Sequence, residues 1–312
     1  MKKSLLCSIV AAFLFMTLEP VSKLIAGQIS PYAITFWRFA LGSFILIPFA
    51  VSKIRKEQKR ITLRDFAFLT FLGILFICIS MVPLQYAVKT AESPALIAII
   101  FSSSSVFTLL LAIPIVKEKM TVHKAIATVL CVIGLILSAD FGQSNNWFSV
   151  CLALFSSVTF SIHSVLSQKY MTRLGASVQN CIIFLMGSLV LLIFLLSTGQ
   201  DLTFAVQAKS LTILTYLGFA VTGFGYWIYF RAIETGGAMM GSLVFFIKPL
   251  LAPFATLVIN RIVPDAKIFL ALFFVMLCSV FATRDKKKIE EKQTLLKTRE
   301  TEKIKAYKHI KI

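Results

Sequence analysis

Three charged side chains, Glu19, Arg38 and Lys248, stand inside long apolar stretches of the sequence. An ionisable side chain at the centre of a bilayer costs about 2.5–3.5 kcal/mol on insertion scales, so it needs a partner, a wet cavity or a function. Glu19 and Arg38 fall at nearly the same depth of the first two predicted helices, which favours a structural ion pair between them. The alternative is that one or both line a transport cavity and bind substrate or a proton.

Lys248 stands near the middle of its apolar stretch, about 15 Å from either end of a helix of that length, which is too deep for easy contact with water. We expect it to line a substrate cavity; the alternative is a structural role through backbone carbonyls or Glu19. A buried ammonium favours an anionic or amphoteric substrate, such as an amino acid, because a carboxylate gains a charge-assisted hydrogen bond there. Export of lipophilic cationic drugs is the alternative substrate class.

Other polar residues and prolines are candidates for further roles. Gln85 is a candidate for the substrate cavity, and His163 joins Glu19 as a candidate for proton coupling. A histidine that only packs and hydrogen-bonds is the alternative. Prolines near the charged residues predict helix breaks that expose backbone groups beside the site, at Pro20, Pro249 and Pro253.

The sequence carries no pattern typical of catalysis or of a cofactor. The three histidines are scattered, and the six cysteines fall within apolar stretches without metal-site spacing. A phosphate-binding Gly-x-x-x-x-Gly-Lys-Ser/Thr loop is also missing. We therefore expect a protein that is not an enzyme and that uses no metal or other cofactor, with an intramembrane enzyme as an alternative class.

The elements that must hold these residues are transmembrane helices. Hydrophobic residues make up 58% of the chain and charged residues only 15%, which is too little charge for the wetted surface of a soluble domain. Apolar runs of about twenty residues recur, each long enough to cross a hydrocarbon core of about 30 Å. They predict ten transmembrane helices, at 4–26, 31–51, 66–88, 94–113, 122–139, 147–168, 177–197, 210–230, 238–259 and 265–283.

The distribution of the net charge of +18 predicts the orientation of these helices. With the N-terminus in the cytoplasm, basic residues concentrate in cytoplasmic segments such as loop 52–65 and the tail 284–312, while external loops such as 140–146 hold few. We therefore expect both termini to be cytoplasmic, in a bacterial-type cytoplasmic (inner) membrane. The same distribution argues against nucleic acid as a partner, and the lipid bilayer is the expected surroundings.

The sequence repeats itself at an offset of 145 residues without a gap. Residues 42–43 fall on 187–188 as identical Gly-Ser pairs, and residues 69–73 fall on 214–218 with one Phe-to-Tyr difference. Each half holds five predicted helices, an odd number, so the second half enters the membrane from the opposite side. This predicts an all-α membrane protein of two inverted five-helix repeats and a basic tail, at 1–140, 146–283 and 284–312.

An inverted duplication predicts alternating access, because two similar halves can pack in two mirrored arrangements, one open inward and one open outward. In the repeat register Lys248 corresponds to Ser103, and both lie near the midplane, where such transporters bind substrate. Ser102 and Ser103 are therefore candidates for substrate binding. Serines that only permit close helix packing are the alternative.

Three short motifs accompany the repeat: Pro-Ile-Val-Lys-Glu at 114–118, Leu-x-x-Leu-Gly at 69–73 and Phe-Ile-Lys-Pro-Leu-Leu-Ala-Pro at 246–253. With them the chain resembles the EamA family of the drug/metabolite transporter superfamily over most of its length. The resemblance implies ten helices in two five-helix repeats. The family usually places a glutamate at the end of the fourth helix of each repeat; Glu118 matches it, whereas the second repeat has Val263 there.

We therefore expect a permease, that is, a secondary active transporter that moves a small metabolite across the cytoplasmic membrane. Protons are a candidate coupling ion. A channel is an alternative of a different class, because inverted repeats also occur in channels. Saturation and counterflow distinguish a carrier from a channel.

Overall fold

The computed structural model describes residues 2–57, 60–116, 120–138, 146–200, 208–236, 238–263, 268–270, 272–274 and 276–277. Within these residues the regular secondary structure is entirely helical. The first part of the chain forms α1 (Lys2–Met16), α2 (Leu18–Lys23), α3 (Pro31–Glu57), α4 (Leu63–Gly73), a π-helical segment π1 (Ile74–Met81), α5 (Val82–Thr90), α6 (Pro94–Ser102), α7 (Ser104–Val116) and α8 (Val122–Ser138). The second part forms α9 (Asn146–Leu174), α10 (Ala176–Thr198), α11 (Ala208–Thr215), a π-helical segment π2 (Tyr216–Phe224), α12 (Gly225–Gly236) and α13 (Ala238–Asn260).

Seven of the described helical stretches are long and apolar enough to cross a membrane. They are Lys3–Lys23, Pro31–Glu57, Leu63–Thr90, Pro94–Ile115, Trp147–Ser167, Ala176–Thr198 and Ala208–Ile233. Shorter apolar helices at Ala125–Gly134 and Ile247–Asn260 fall within the fifth and ninth predicted spans. Most of the tenth predicted span, at 265–283, and Glu118 lie outside the described residues. The chain is therefore a multi-pass membrane protein.

Local signals at the helix ends explain where several elements begin and end. Thr62 accepts a hydrogen bond from the backbone N–H of Asp65, and the Asp65 carboxylate accepts one from the backbone N–H of Thr62, so a capping box begins α4. Gly175 and Gly199 flank α10 with φ angles of 81° and 65°, a left-handed backbone region that glycine adopts without steric cost.

Pro20 lies just after a break in the first predicted span. Helix α1 ends at Met16 and α2 begins at Leu18. Because Pro20 has no backbone N–H, the carbonyl four residues earlier, on Met16, loses its helical hydrogen bond. The ninth predicted span differs, since α13 continues through both Pro249 and Pro253, and the distortion expected at these prolines stays a prediction. The two prolines stand four residues apart, so the two missing backbone hydrogen bonds lie on one side of α13. The remaining backbone hydrogen bonds keep the helix continuous.

Helix packing follows the repeat register of 145 residues. Helix α3 packs against π2, and the corresponding helix α10 packs against α4 and π1. Helix α1 packs against α12 and α13, and the corresponding helix α9 packs against α5, α6 and α7. The α3–α10 and α6–α13 contacts each join two elements that correspond to each other in this register. Residues far apart in the chain therefore form matching interfaces.

Two glycine crossings bring corresponding helices into close contact. A Cβ added to Gly73 would lie 2.7 Å from the Ile183 carbonyl oxygen, and one added to Gly187 would lie 2.6 Å from the Gly73 carbonyl oxygen. In the repeat register these glycines correspond to Gly218 and Gly42, where an added Cβ would lie 2.6 Å from Leu41 and 2.8 Å from Thr222. The backbones approach so closely that only glycine fits, as is common between membrane helices.

The third helix of each half contains a π-helical segment. Segment π1 spans Ile74–Met81 and π2 spans Tyr216–Phe224, and the two overlap in the repeat register. Segment π1 begins directly after Gly73, and π2 includes Gly218. The sequence analysis did not predict these segments, and π-helical turns are rare and concentrate at functional sites.

The glycine crossing generates a stability prediction. Gly73→Ala should lower the free energy of unfolding by about 1–3 kcal/mol, because the new methyl group meets rigid backbone atoms and the helices must separate. Gly27→Ala is the matched control, since nothing lies within 4 Å of its added Cβ. Thermal unfolding of the detergent-solubilised protein measures both. Equal unfolding temperatures for the two variants would show that the crossing is not tight.

Candidate functional site

A buried ion pair joins the first part of the chain to the second. The Lys248 Nζ lies 2.6 Å from Oε1 of Glu19, and the two residues are 3% and 0% exposed. Glu19 lies on α2, just after the break in the first span, and Lys248 lies midway along α13. The ammonium also lies 5.4 Å from the ring centroid of Phe101, within range of a cation–π interaction. Both charges are therefore compensated inside an apolar bundle.

Arg38 does not form the ion pair with Glu19 that the sequence analysis favoured. Its Nη2 lies 3.5 Å from the Met81 sulfur, and its Cζ lies 4.6 Å from the Phe39 ring centroid. The reason is helix placement: α2 packs against α13, α6 and α5, whereas α3 packs mainly against α10 and π2. Equal depth in the membrane gave no information about which helix faces Glu19. Arg38 still lies within electrostatic range of Glu19.

Glu19, Lys248 and Arg38 form a charged cluster whose formal charge is positive by one unit. Two of its polar atoms have no hydrogen-bond partner: Oε2 of Glu19 and Nε of Arg38. Arg38 is 3% exposed, and no carboxylate among the described residues lies within ion-pair distance of it. A buried guanidinium in this state can accept an anionic ligand, and the free carboxylate oxygen can accept a donor from the same ligand.

A polar seam extends from the charged cluster along α13. The Asn260 Nδ2 donates a hydrogen bond of 3.0 Å to the Pro20 carbonyl, and Thr256 lies one helical turn earlier. Ser22 and Thr256 are both fully buried, and their hydroxyls have no partner. The sequence analysis missed these residues. Thr256 and Asn260 follow Lys248 by eight and twelve residues, multiples of four that favour the side of α13 that faces α2, and this spacing was the available signal.

The predicted serine cluster lies at the corresponding contact of the other half. Ser103 interrupts the fourth predicted span between α6 and α7, and its Oγ donates to the Ile100 carbonyl at 2.6 Å. The same Oγ lies 3.0 Å from Oγ of Ser157 on α9. Ser102 hydrogen-bonds within its own helix, to the Ala98 carbonyl. Ser103 therefore sits at a helix interruption near the midplane, whereas Ser102 has a local partner.

Among the described residues, no hydrogen bond links His163 or Gln85 to the charged cluster. The His163 ring stacks on Phe76 at a centroid distance of 4.7 Å, hydrogen-bonds to the Leu72 backbone, and has no partner at Nδ1. Gln85 is buried with no partner at Nε2. Among the described residues, no hydrogen bond connects either side chain to Glu19. Their roles in proton coupling and substrate binding stay predictions.

An aromatic wall lies near Arg38. Tyr226, which is within electrostatic range of Arg38, contacts Phe15 at a centroid distance of 4.9 Å and Phe184 at 5.2 Å. The rings of Phe76 and Tyr229 lie farther away, each at a centroid distance of 6.3 Å from the Tyr226 ring. The sequence analysis did not identify this wall. Aromatic residues of α1, π1, α10 and α12 meet here because these helices pack together across the two halves.

The Glu19–Lys248 pair generates a coupling prediction. Glu19→Gln and Lys248→Met should each lower the free energy of unfolding by about 3–5 kcal/mol, because each leaves a buried charge without its partner. The double variant should lose less than the sum of the single losses. Denaturant unfolding of the solubilised protein measures the cycle.

The control cycle combines Glu19→Gln with Arg38→Gln, whose side chains form no direct ion pair. Its coupling energy should be clearly smaller than that of the first cycle. Equal coupling energies in the two cycles, or additivity in the Glu19–Lys248 cycle, would contradict the observed pairing.

Comparisons with known proteins agree with the helical architecture. The sequence profile of the EamA-like transporter family matches residues 2–139 and again residues 147–284. An uncharacterized transporter of Clostridium kluyveri is 29% identical over 97% of this chain and 100% of that protein. The uncharacterized transporter YdfC of Bacillus subtilis is 24% identical over 72% of each protein. A solved crystal structure shares the fold, with a TM-score of 0.66 and 14% identity over 93% of this chain and 99% of that chain. The chain therefore belongs to the EamA-like transporter family.

Proposed function

We propose that the protein is a secondary active transporter that moves a small carboxylate-bearing or amphoteric metabolite, such as an amino acid, across the cytoplasmic membrane. It works by alternating access between two inverted five-helix repeats, at 1–140 and 146–283, with both termini and the tail 284–312 in the cytoplasm. The substrate binds at the charged cluster of Glu19, Lys248 and Arg38. Glu19 is the candidate for coupling transport to protons.

Several observations support the duplication. The two matches to the family profile begin 145 residues apart, the same offset at which the sequence repeats itself. The helix contacts, the glycine crossings and the π-helical segments also correspond in this register. With five helices in each half, the halves have opposite orientations in the membrane.

The position of the charged cluster supports its assignment as the substrate site. Glu19 and Arg38 come from the first half, and Lys248 comes from the second half. Ser103, the counterpart of Lys248, interrupts a helix that packs directly against α13. Interrupted helices at the interface of two inverted repeats are where transporters of this architecture bind their substrates.

The single observation that carries the substrate class is the buried Arg38 guanidinium, whose close partners among the described residues are a sulfur and an aromatic ring. A substrate carboxylate would supply the charge-assisted hydrogen bonds that this side chain lacks. The free Oε2 of Glu19 would accept a hydrogen bond from a substrate ammonium or hydroxyl group. A ligand that carries both groups would engage the whole cluster and leave its charge balanced.

The aromatic wall around Tyr226 favours a second candidate, export of a lipophilic cation. Aromatic faces and a carboxylate attract cationic ligands, and Glu19 is the carboxylate of the site. The positive charges on Arg38 and Lys248 oppose this function, because they repel a cation unless Glu19 outweighs both. We therefore rank the carboxylate-bearing substrate first.

A ligand screen tests the proposal. Purified protein is heated with amino acids, organic acids, nucleosides and lipophilic cations, and the proposal predicts that a carboxylate-bearing compound raises the unfolding temperature. Arg38→Gln and Lys248→Met should weaken the binding of that compound at least about 10-fold, because each removes a charge-assisted hydrogen bond.

Lys89→Met is the matched control, because it removes an exposed ammonium near a helix end. It should bind the compound like the original protein. Stabilisation by lipophilic cations alone, or unchanged affinity in Lys248→Met, would contradict the proposed substrate class.

A further inference from the structure

Two polar contacts at opposite ends of the bundle correspond to each other in the repeat register. The Arg173 Nη1 lies 2.6 Å from Oδ1 of Asp65. Ser210 Oγ donates to Oε1 of Gln28 at 3.1 Å. Asp65 and Ser210 are 145 residues apart, and so are Gln28 and Arg173. Each contact therefore joins the end of the first predicted span of one half to the start of the third predicted span of the other half.

Near each of these polar contacts, the helical segments on its two sides pack against each other only marginally. Helix α9 packs extensively against α5 and π1 but only marginally against α4, which carries Asp65. On the external side, α1 packs extensively against α12, whereas both α1 and α2 contact π2, which follows α11, only marginally. Each pair of helices thus lies close at one end and diverges at the other, and the polar contact bridges the divergent end.

The predicted orientation places the two contacts on opposite sides of the membrane. Asp65 and Arg173 lie at the cytoplasmic ends of α4 and α9, whereas Gln28, in the turn between α2 and α3, and Ser210, near the start of α11, lie on the external side. Both divergent segments, α4 and α11, continue directly into a π-helical segment. A rare π-helical turn at the same point of both halves gives each segment a place at which it can bend.

We propose that Asp65–Arg173 and Gln28–Ser210 are the cytoplasmic and external latches of the transporter. Both are closed in this structure, and each must open to expose the centre of the protein to its own side of the membrane. This inference rests on the proposed function. The latches differ in chemistry: the cytoplasmic one is an ion pair, and the external one is a hydrogen bond between neutral groups. Thr62 holds the Asp65 carboxylate in place through the capping box, so Arg173, whose side chain is 51% exposed, is the partner that leaves.

The test measures access to the centre of the protein from each side. A single cysteine replaces Ser103, which is 1% exposed and corresponds to Lys248, in a background without the six native cysteines. Sulfonatoethyl methanethiosulfonate, a membrane-impermeant thiol reagent, is added to right-side-out and to inside-out membrane vesicles. The ratio of the two labelling rates reports the balance between outward-open and inward-open states.

Arg173→Gln should raise the cytoplasmic labelling rate relative to the external rate by about 1.5- to 5-fold, the range for a half-exposed ion pair. Ser210→Ala should shift the ratio in the opposite direction by about 2- to 10-fold, as expected for one hydrogen bond. Arg173→Lys keeps the charge and should stay close to the parent protein. This conservative variant also provides a readout if Arg173→Gln fails to fold.

The outcomes separate the latches from the transporter itself. Labelling of the parent protein from one side only, or from neither side, would contradict alternating access and with it the proposed function. Labelling from both sides, with ratios that Arg173→Gln and Ser210→Ala leave unchanged or shift in the same direction, would overturn the latches alone. If Arg173→Gln does not fold, Arg173→Lys alone tests the cytoplasmic latch. A labelling ratio in Arg173→Lys that shifts by about 1.5- to 5-fold, as expected for loss of the ion pair, would then overturn the latch.

Discussion

A carboxylate and an ammonium that lie 2.6 Å apart inside an apolar bundle determine how the two parts of this chain meet. Neither charge can stay in hydrocarbon without compensation, so Glu19 requires α13 beside α2, and Lys248 requires the same contact in return. The pair leaves Arg38 without an anionic neighbour at close range, although it is equally buried. This guanidinium is the basis of the anionic substrate that we propose.

The two halves use the same helix contacts with different chemistry. In one contact between the first helix of one half and the fourth helix of the other, Glu19 pairs with Lys248; in the corresponding contact, Ser157 meets Ser103. Glycine crossings at Gly73 and Gly218 set the same close approach in both halves. The duplicated scaffold keeps corresponding helix contacts in both halves, while different residues on one side supply the charges of the proposed substrate site.

Much of this arrangement could be predicted from the sequence, because apolar runs and the repeat register depend only on residue type and spacing. The break before Pro20 follows from its missing N–H, and the burial of Lys248 follows from its depth. The sequence offered Arg38 and, as an alternative, Lys248 as the partner of Glu19, and it could not distinguish between them, since depth does not specify which helix Glu19 faces. The interruption at Ser103 was also missed, because no proline stands there; the Ser103 hydroxyl bonds to the carbonyl three residues earlier, a local bond that competes with regular helix geometry. The sequence also did not show that the buried Thr256 hydroxyl lacks a hydrogen-bond partner among the described residues, because this depends on the contact between α2 and α13.

The central claim is that one buried site is exposed alternately to the two sides of the membrane. Counterflow in proteoliposomes tests it most directly. The vesicles are loaded with the unlabelled carboxylate-bearing ligand identified by thermal stabilisation, and a trace of the labelled ligand is added outside. A carrier with one alternating site predicts a transient accumulation of label above its equilibrium level, which Arg38→Gln abolishes. Label that rises monotonically to equilibrium, as through a channel, would contradict the account.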